Sequence, residues 1–315
     1  GLESGRAEVW DLRKVKEHRG RSNWSYDSDL ELQRGAKGFV SMQAHDYVLS
    51  VAWLVLALST VVDWHAARRM HGAPSPGGRR AWLLLSLATN LGLLAFFRYG
   101  GFLLENFQAL CAAVGVDYQP PEPAIVVPVG ISFYTFQTLS YTIDVYRGRM
   151  APWQSRLDFA LFVSFFPQLV AGPIVRASAF LPQCLAPRRA DARRLGWGLA
   201  LLTLGLFEKV ILADAFVAPI ADVVYGAPGE AGFVAAWLGT LAFSVQIFCD
   251  FAGYSSCAIG AAMCLGFSIR DNFRFPYGAV GFSDFWRRWH ISLSSWLRDY
   301  LYIPLGGNRQ GPGRT

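Results

Sequence analysis

The residue whose type and setting best suit acid–base chemistry is His290. It lies in the segment FSDFWRRWHISLSSWLRDYLYIPLGGNR, residues 282–309. At about 100° per residue, a helix from Trp286 to Asp299 places apolar side chains on one face and arginines and serines on the other. The apolar face carries Trp286, Trp289, His290, Leu293, Trp296 and Leu297. His290 is the only titratable group on that face, which makes it a candidate catalytic residue.

Two interpretations of this helix are open from its spacing alone. In the first, it is an amphipathic helix at a membrane surface, and His290 is a tolerated polar residue at its rim. In the second, it carries a site, because an ionisable residue turned toward an apolar environment is costly and usually functional. Desolvation keeps an imidazole neutral, and the neutral form is the one that accepts a proton near pH 7.

Other polar side chains lie inside apolar runs or at their ends. We expect most of them to satisfy one another within a helical bundle and some to line a substrate path. Asp144 and Arg147 are three residues apart on one helix, so we expect them to contact each other. The candidates for the substrate path, which include three residues of the His290 segment, are Gln137, Gln168, Gln246, Asp250, Trp286, Trp289 and Arg298.

The composition indicates that a membrane-embedded bundle positions these residues. Of the 315 residues, 53% are hydrophobic and only 17% are charged, with a mean hydropathy of +0.27. Soluble domains carry about 25% charged residues, so the composition argues against a water-soluble globular enzyme. The arginines are dispersed among apolar runs, which argues against a nucleic-acid partner. The five cysteines form no CxxC pair, and we predict neither a disulfide framework nor a metal site.

The apolar runs predict an all-α, polytopic membrane bundle, since a helix needs about 20 apolar residues to cross a bilayer. The last run would extend about 55 Å as one straight helix, so we expect it to bend around Asp250 to Gly253. The fourth run is interrupted by Pro167, Gly172 and Pro173. The runs cover residues 47–62, 81–97, 125–146, 157–175, 196–225 and 231–267.

The basic residues between the runs predict the orientation. Three arginine-rich loops, within residues 68–80, 147–156 and 176–194, are expected in the cytoplasm. The connectors around Glu122 and Glu230 lack basic residues and are expected outside. This requires residues 157–175 to enter and leave the membrane on one side, as a re-entrant hairpin. Such backbone is tolerated only where protein or a water-filled cavity surrounds it.

Residues 1–46 form a polar leader with 8 basic and 8 acidic side chains, so residues 47–315 carry the whole net charge of +6. The leader lacks the apolar core of a signal peptide. We expect it to be disordered or artefactual, and we expect residues 47–315 to be a membrane domain that is truncated at its C-terminus.

Four segments resemble the membrane-bound O-acyltransferase family, and its alginate-acetylating branch most closely. They are VPVGISFYTFQTLSYTIDVYRG (127–148), FFPQLVAGPIVR (165–176), FCDFAGYSSCAIGAAMCLGF (248–267) and the His290 segment. The resemblance implies a multi-pass inner-membrane bundle with partly embedded helices around a central funnel. The histidine of the family's WRRWH motif falls on His290. A second functional histidine of the family follows the stretch that matches this chain.

The resemblance further implies transfer of an acetyl group from cytosolic acetyl-CoA, with no bound cofactor, to an exopolysaccharide such as alginate. Periplasmic acetyltransferase partner proteins and the lipid bilayer are the expected partners. Neutral His290 would remove the proton of the acceptor hydroxyl as its oxygen attacks the thioester. The alternatives are transfer of D-alanyl or another acyl group, a transporter in which His290 gates a solute path, and a scaffold that recruits partners.

Overall fold

The regular secondary structure of the described residues is all helix, as predicted. A computed structural model describes residues 37–118, 120, 127–170, 172–226 and 231–310. Residues 1–36, which form most of the predicted leader, lie outside these ranges, as do Glu122, Glu230 and residues 311–315. The helices are α1 (Lys37–Gly72), α2 (Pro76–Ala113), α3 (Ile131–Tyr146), α4 (Arg156–Ser164), α5 (Phe166–Leu169), α6 (Ala177–Phe180), α7 (Ala192–Leu206), α8 (Ala218–Tyr225), α9 (Phe233–Cys264), α10 (Phe282–Arg288) and α11 (Ile291–Leu297). Two π-helical segments cover Phe207–Val217 and Arg298–Tyr302, and 3₁₀ turns cover Leu181–Leu185, Pro276–Gly278 and Gly307–Gln310.

Three helices within the described ranges are long and apolar enough to cross a membrane: α1 from Leu49, α2 and α9. Helix α1 begins at Lys37, inside the segment predicted as the leader. Helix α2 begins at a cap formed by Ser75, whose hydroxyl accepts the Gly78 N–H at 3.1 Å. It continues to Ala113, well beyond the predicted end at Phe97. Both helices are therefore longer than their apolar runs.

The last apolar run forms one helix and is not divided into two helices around Asp250 to Gly253. Helix α9 runs without interruption through Asp250 and Gly253 for 32 residues, about 48 Å. A helix of this length fits a bilayer by tilting. Gly253 does not break it, because the missing side chain is used for a close contact with α7. A Cβ at Gly253 would lie 2.7 Å from the Gly205 carbonyl oxygen, and one at Gly260 would lie 2.5 Å from the Gly198 carbonyl oxygen.

A buried polar cluster ties α1, α2 and α3 together; we call it the Asp63 cluster. Both Asp63 carboxylate oxygens accept from Asn90 Nδ2 at 2.9 Å, and Oδ1 also accepts from the Ser86 hydroxyl at 2.5 Å. The Ser59 hydroxyl donates to Asn90 Oδ1 at 2.6 Å, and the Thr138 hydroxyl to the same atom at 3.3 Å. All five side chains are buried. The cluster shows how polar groups in an apolar bundle satisfy one another.

The π-helical segment that follows α7 replaces part of the helix predicted over 196–225. Its bonding pattern brings residues five apart close to each other. Lys209 Nζ accordingly lies 2.8 Å from Asp214 Oδ1 and also 2.5 Å from Asp250 Oδ1 on α9. The segment thus joins α7 to the middle of α9 by an ion pair.

The run 157–175 is broken into short pieces, as its prolines and glycine predict. Helix α4 has only 9 residues and rises about 13 Å, far less than the thickness of the hydrocarbon core. Phe165 interrupts the helix, and Pro167 stands at the start of α5. A Cβ at Gly172 would lie 2.5 Å from Gln168 Cα, so the tight return of the chain requires glycine there.

The arginine-rich loops contact one another. Arg79 Nη2 donates to the Tyr146 carbonyl at 2.9 Å, and Arg68 Nη1 to the Gln154 carbonyl at 3.5 Å, so the α1–α2 loop meets the loop after α3. Arg147 donates to the Asp299 carbonyl at 3.1 Å. These loops, expected on one side of the membrane, therefore gather at one end of the described bundle, which we call the arginine-rich end.

Candidate active site

His290 lies in a break between α10 and α11, not on a continuous helix, so the predicted single helix 286–299 is wrong. Its backbone has φ 41° and ψ 55°, in the left-handed region. The physical reason is a set of tertiary hydrogen bonds. Ile291 N donates to the Asn272 carbonyl at 2.9 Å, and Ser292 N donates to Asn272 Oδ1 at 3.1 Å. These amides would otherwise donate to carbonyls one turn earlier in the helix.

Asn272 holds the imidazole from one side. Its Oδ1 accepts from Ser292 N, which can only donate, so this atom is the amide oxygen. His290 Nδ1 lies 3.2 Å from the same oxygen and 3.4 Å from the Ser292 hydroxyl, and the shorter contact, with Asn272, is a hydrogen bond in the tautomer that carries its proton on Nδ1. In the neutral ring the other nitrogen, Nε2, then has a free lone pair. Asn272 is itself fixed, because its Nδ2 donates to the Ser255 hydroxyl of α9 at 3.1 Å.

The site is buried in an aromatic environment. His290 is 9% exposed and Asn272 is 1% exposed. The Phe251 ring meets the imidazole edge to face at 4.6 Å between centroids. His290 lies outside the long apolar helices, and burial lowers its pKa from 6.5 to about 4. The imidazole is therefore neutral at pH 7, and Nε2 can accept a proton.

Trp289 forms the adjoining wall of the site. Its ring stacks on Phe285 at 5.5 Å and meets Phe273 edge to face at 5.1 Å. It also lies 6.2 Å from both Phe248 and Tyr277. Of the predicted path candidates, Trp289 is the one that the structure places next to His290.

Trp286 and Arg298 lie elsewhere. Trp286 is 52% exposed and contacts Phe285 at 5.7 Å. The Arg298 side chain is 62% exposed, and its Nε donates to Asp299 Oδ1 at 2.7 Å. Because the helix is broken at His290, residues before and after the break do not share the face that the periodicity predicted.

None of the four embedded polar candidates forms a hydrogen bond with His290 in the described ranges. Gln137 and Gln168 both donate to the Phe162 carbonyl, at 2.5 Å and 3.2 Å. Gln168 Oε1 is buried without a hydrogen-bond partner among the described residues. Asp250 is engaged by Lys209, as described above, and Gln246 is half-buried one turn before it on α9. The polar groups at membrane depth therefore do not form one cluster with the histidine.

A charged network at the end of α11 fixes the His290 segment to the bundle. Arg176 Nη2 lies 2.6 Å from Asp299 Oδ2, and the Tyr300 hydroxyl donates to Asp144 Oδ2 at 2.6 Å. The expected pairing of Asp144 with Arg147 is not the one formed. Asp144 instead pairs with Arg149 at 3.6 Å, because Arg147 reaches the Asp299 carbonyl.

Sequence reasoning missed Asn272 and Ser292 as parts of the site. Asn272 lies in IRDNFRFPY (269–277), between the last apolar run and the His290 segment. An asparagine among charged residues after an apolar run is typical of a surface loop, so the sequence offered no reason to place it in a site. Ser292 was placed on the polar helix face, yet its hydroxyl donates to Asn272 Oδ1 at 2.9 Å and accepts Ile174 N–H at 3.0 Å. Only the break in the helix makes these contacts possible.

The arrangement can accept a proton at Nε2 and stabilise the resulting imidazolium through Nδ1–H and Asn272. No group of three or more His, Cys, Asp or Glu side chains that could hold a metal ion occurs in the described ranges. The chemistry that these residues themselves support is general acid–base catalysis.

Comparison with known proteins places this site in a family. Residues 149–314 match the model of MBOAT, the membrane-bound O-acyltransferase family. The chain is 41% identical over 238 residues to the probable alginate O-acetylase AlgI of Pseudomonas putida, covering 74% of this chain and 47% of that protein. It is 36% identical over 287 residues to the peptidoglycan O-acetyltransferase of Helicobacter pylori, covering 82% and 53%. It is 28% identical over 192 residues to the teichoic acid D-alanyltransferase of Bacillus subtilis, covering 59% and 47%. The chain thus spans about half the length of the curated relatives it matches.

Proposed function

Because the chain belongs to the membrane-bound O-acyltransferase family, we propose that it transfers an acetyl group to an exopolysaccharide such as alginate. The donor is acetyl-CoA, and the reaction takes place at the bacterial inner membrane. The observation that carries this proposal is His290: a buried, neutral imidazole with a free Nε2 inside the segment that matches the family.

In the proposed mechanism His290 is the general base. Nε2 takes the proton of the acceptor hydroxyl while the hydroxyl oxygen attacks the thioester carbon. The carbon–sulfur bond then breaks, and the imidazolium returns the proton to the leaving thiolate. Asn272 Oδ1 accepts from Nδ1–H throughout, so it stabilises the imidazolium and keeps Nε2 as the reacting nitrogen. General base catalysis of this kind contributes about 10²- to 10⁴-fold.

The acceptor and the acyl group are supported by the names of the relatives. Those of about 40% identity are named for alginate, and another is named for peptidoglycan; both names describe acetyl transfer to a cell-envelope polymer. The D-alanyltransferase at 28% identity supports a second candidate, the transfer of D-alanyl to such a polymer. A single assay with both acyl donors separates the two.

The proposed topology has the arginine-rich end in the cytoplasm and the acceptor on the other side, with periplasmic acetyltransferase proteins as partners. Two sets of contacts support one common side for these loops: Arg68 and Arg79 bond to the loop after α3, and Arg147 and Arg176 both bond to Asp299. The two short helices of 157–175 support a re-entrant hairpin, because neither is long enough to cross. The substrate path through the bundle passes Trp289, which adjoins the histidine.

The experiment that tests the proposal is acetyl transfer from radiolabelled acetyl-CoA to polymer in membrane vesicles, with His290→Ala and the wild type at matched protein levels. We expect the variant to lose about 10²- to 10⁴-fold of the rate. Arg274→Gln is the control, because its side chain is 70% exposed and reaches only Asp271 at 3.7 Å. Unchanged transfer by His290→Ala at normal abundance would refute a catalytic role. Solute uptake without acyl transfer would instead favour a transporter.

A further inference from the structure

A mostly apolar cavity of about 430 Å³ lies between α4 and the chain that leaves α9. We call it the α4–α9 cavity. Its apolar wall is formed by Leu161, Phe165, Phe166, Leu265 and Phe267. Its polar rim includes Arg188, Asp158, Ser164 and Cys184. The volume falls within the range of small-molecule sites, about 300 to 1,000 Å³. His290 does not line it, so the cavity is separate from the candidate active site.

Three apolar residues of the cavity wall are exposed: Leu161 is 41% exposed, Phe166 is 66% exposed and Leu265 is 42% exposed. Leu265 directly follows the last residue of α9, so the cavity lies beside the end of this long apolar helix. A membrane-crossing helix ends near the boundary between hydrocarbon and headgroups. We infer that the cavity lies near this boundary, where a lipid carries both its phosphate and the start of its acyl chains.

The chain beside the mouth carries net positive charge: residues 188–194 hold four arginines and one aspartate, while Asp158 adds one negative charge on the rim. Arg188 lies on the rim, and its Nε donates to the Gln183 carbonyl, which holds the guanidinium in place. Arg189 follows in the same loop, and Arg193 lies in the first turn of α7. Within the described ranges no ion pair is formed by any of these three arginines.

Two carboxylates, Asp158 on the rim and Asp191 in the loop, offset part of this charge. Asp158 accepts from the Trp153 indole N–H at 3.0 Å, and Asp191 accepts from Arg194 N at the start of α7 at 2.7 Å. Neither forms an ion pair with the arginines of the loop. The loop therefore presents positive charge beside an apolar cavity, which is the combination that recognises an anionic lipid.

We propose that the α4–α9 cavity binds one anionic phospholipid, with the phosphate at Arg188 and an acyl chain against Leu161, Phe166 and Leu265. The preference of basic residues for the cytoplasmic side accounts for the arginines but not for an adjoining apolar cavity. A lipid seated here would join α4 to the end of α9, and so stabilise the segment that α4 begins.

The test is the thermal unfolding of the purified full chain in phosphatidylcholine nanodiscs as phosphatidylglycerol is added. We expect phosphatidylglycerol to raise Tm in a saturable manner and to bind about fivefold more weakly to Arg188→Gln, since one arginine near the surface contributes about 1 kcal/mol. Leu161→Trp should weaken binding by filling the cavity while leaving every charge in place. Arg69→Gln, an equal loss of charge at an exposed position in another loop of the arginine-rich end, should bind as the wild type does.

Three results would overturn the proposal. If Arg69→Gln weakens binding as much as Arg188→Gln, the lipid responds to net charge and not to this site. If Leu161→Trp binds normally, no acyl chain enters the cavity; Phe166→Ala, which changes the same wall at an exposed position, guards against a folding defect in Leu161→Trp. If inorganic phosphate alone produces the same rise in Tm, the ligand is a free anion and not a lipid.

Discussion

Two buried polar clusters of this protein use similar side chains but differ in what they leave open. In the Asp63 cluster both carboxylate oxygens are occupied by donors from α2, and the helix that carries Asp63 is regular. In the cluster around His290, both polar contacts of the imidazole involve Nδ1. No described residue forms a hydrogen bond with Nε2, and the histidine has a left-handed backbone.

Burial of a polar group therefore does not by itself identify a functional site in a membrane bundle. Asp63 is more deeply buried than His290, yet both of its carboxylate oxygens accept hydrogen bonds that join α1 to α2. His290 combines an unused acceptor with a backbone conformation that non-glycine residues seldom adopt. Strain of this kind persists where the surrounding structure enforces it, and it gathers at functional sites.

The largest expected effect tests whether the Asp63 cluster is purely structural. Asp63→Ala leaves the Ser86 hydroxyl and the Asn90 amide without their acceptor, so we expect the free energy of unfolding to fall by about 3 kcal/mol. The rate per folded molecule should stay unchanged. Thermal unfolding in detergent and acetyl transfer per active molecule measure the two quantities. Asp222→Ala, at an exposed position on α8, is the matched control. A lower turnover rate at unchanged stability would instead indicate that Asp63 contributes to catalysis.

The second prediction concerns the pH dependence that His290 gives to stability. Its pKa is about 4 when folded and near 6.5 when unfolded, so between these values the unfolded state binds more protons. The contribution of His290 to the free energy of unfolding is therefore fully present above pH 6.5. It is lost as the pH falls toward 4, by at most about 3 kcal/mol. His290→Gln cannot titrate and should lack this loss. The difference in Tm between variant and wild type, followed from pH 7 to pH 4.5, measures it. Parallel curves would contradict the buried neutral imidazole.

The third prediction separates positioning from stability at Asn272. Asn272→Ala removes the acceptor of Nδ1–H, so we expect kcat to fall about 10-fold, the equivalent of one hydrogen bond to a charged ring. Asn272→Asp keeps an acceptor and adds a negative charge. It should restore most of the rate and move the acid limb of the pH–rate profile upward by about one to two units. A merely structural Asn272 would give no shift of that limb.

The sequence predicted the all-helical secondary structure and three long apolar helices, because apolar length is a local signal. Residues 157–175 were expected to be broken, and Pro167 and Gly172 do break them. The family could also be predicted from the segment that contains WRRWH. The start of α1 and the length of α2 could not be predicted, because a helix continues past its apolar run wherever packing against other helices stabilises it.

The details of the site escaped prediction because they depend on contacts far apart in the sequence. An argument from periodicity assumes an unbroken helix. Here Asn272 accepts hydrogen bonds from the Ile291 and Ser292 amides, and the helix is interrupted before them. The division of the last run expected at Asp250 does not occur, for a similar reason. Gly253 serves helix packing against Gly205, which no local pattern of α9 reveals. In both cases contacts with distant parts of the chain determine the local structure. The same dependence on tertiary contacts explains why the polar residues predicted to line a substrate path do not lie together.

The smallest expected effect probes how the segment before α6 supports the histidine. Ser292→Ala removes the acceptor of the Ile174 N–H and one of the donors to Asn272 Oδ1, while Ser292 N still donates to that oxygen. We expect kcat to fall about fivefold, the equivalent of about 1 kcal/mol, with the acid limb of the pH–rate profile unchanged. Ser294→Ala, on the same helix, should leave kcat unaltered. A loss as large as that of His290→Ala would make the hydroxyl a reacting group and the site a serine–histidine pair. The fivefold loss would instead leave Nε2 of His290 as the reacting group and the Ser292 hydroxyl as a support for Asn272.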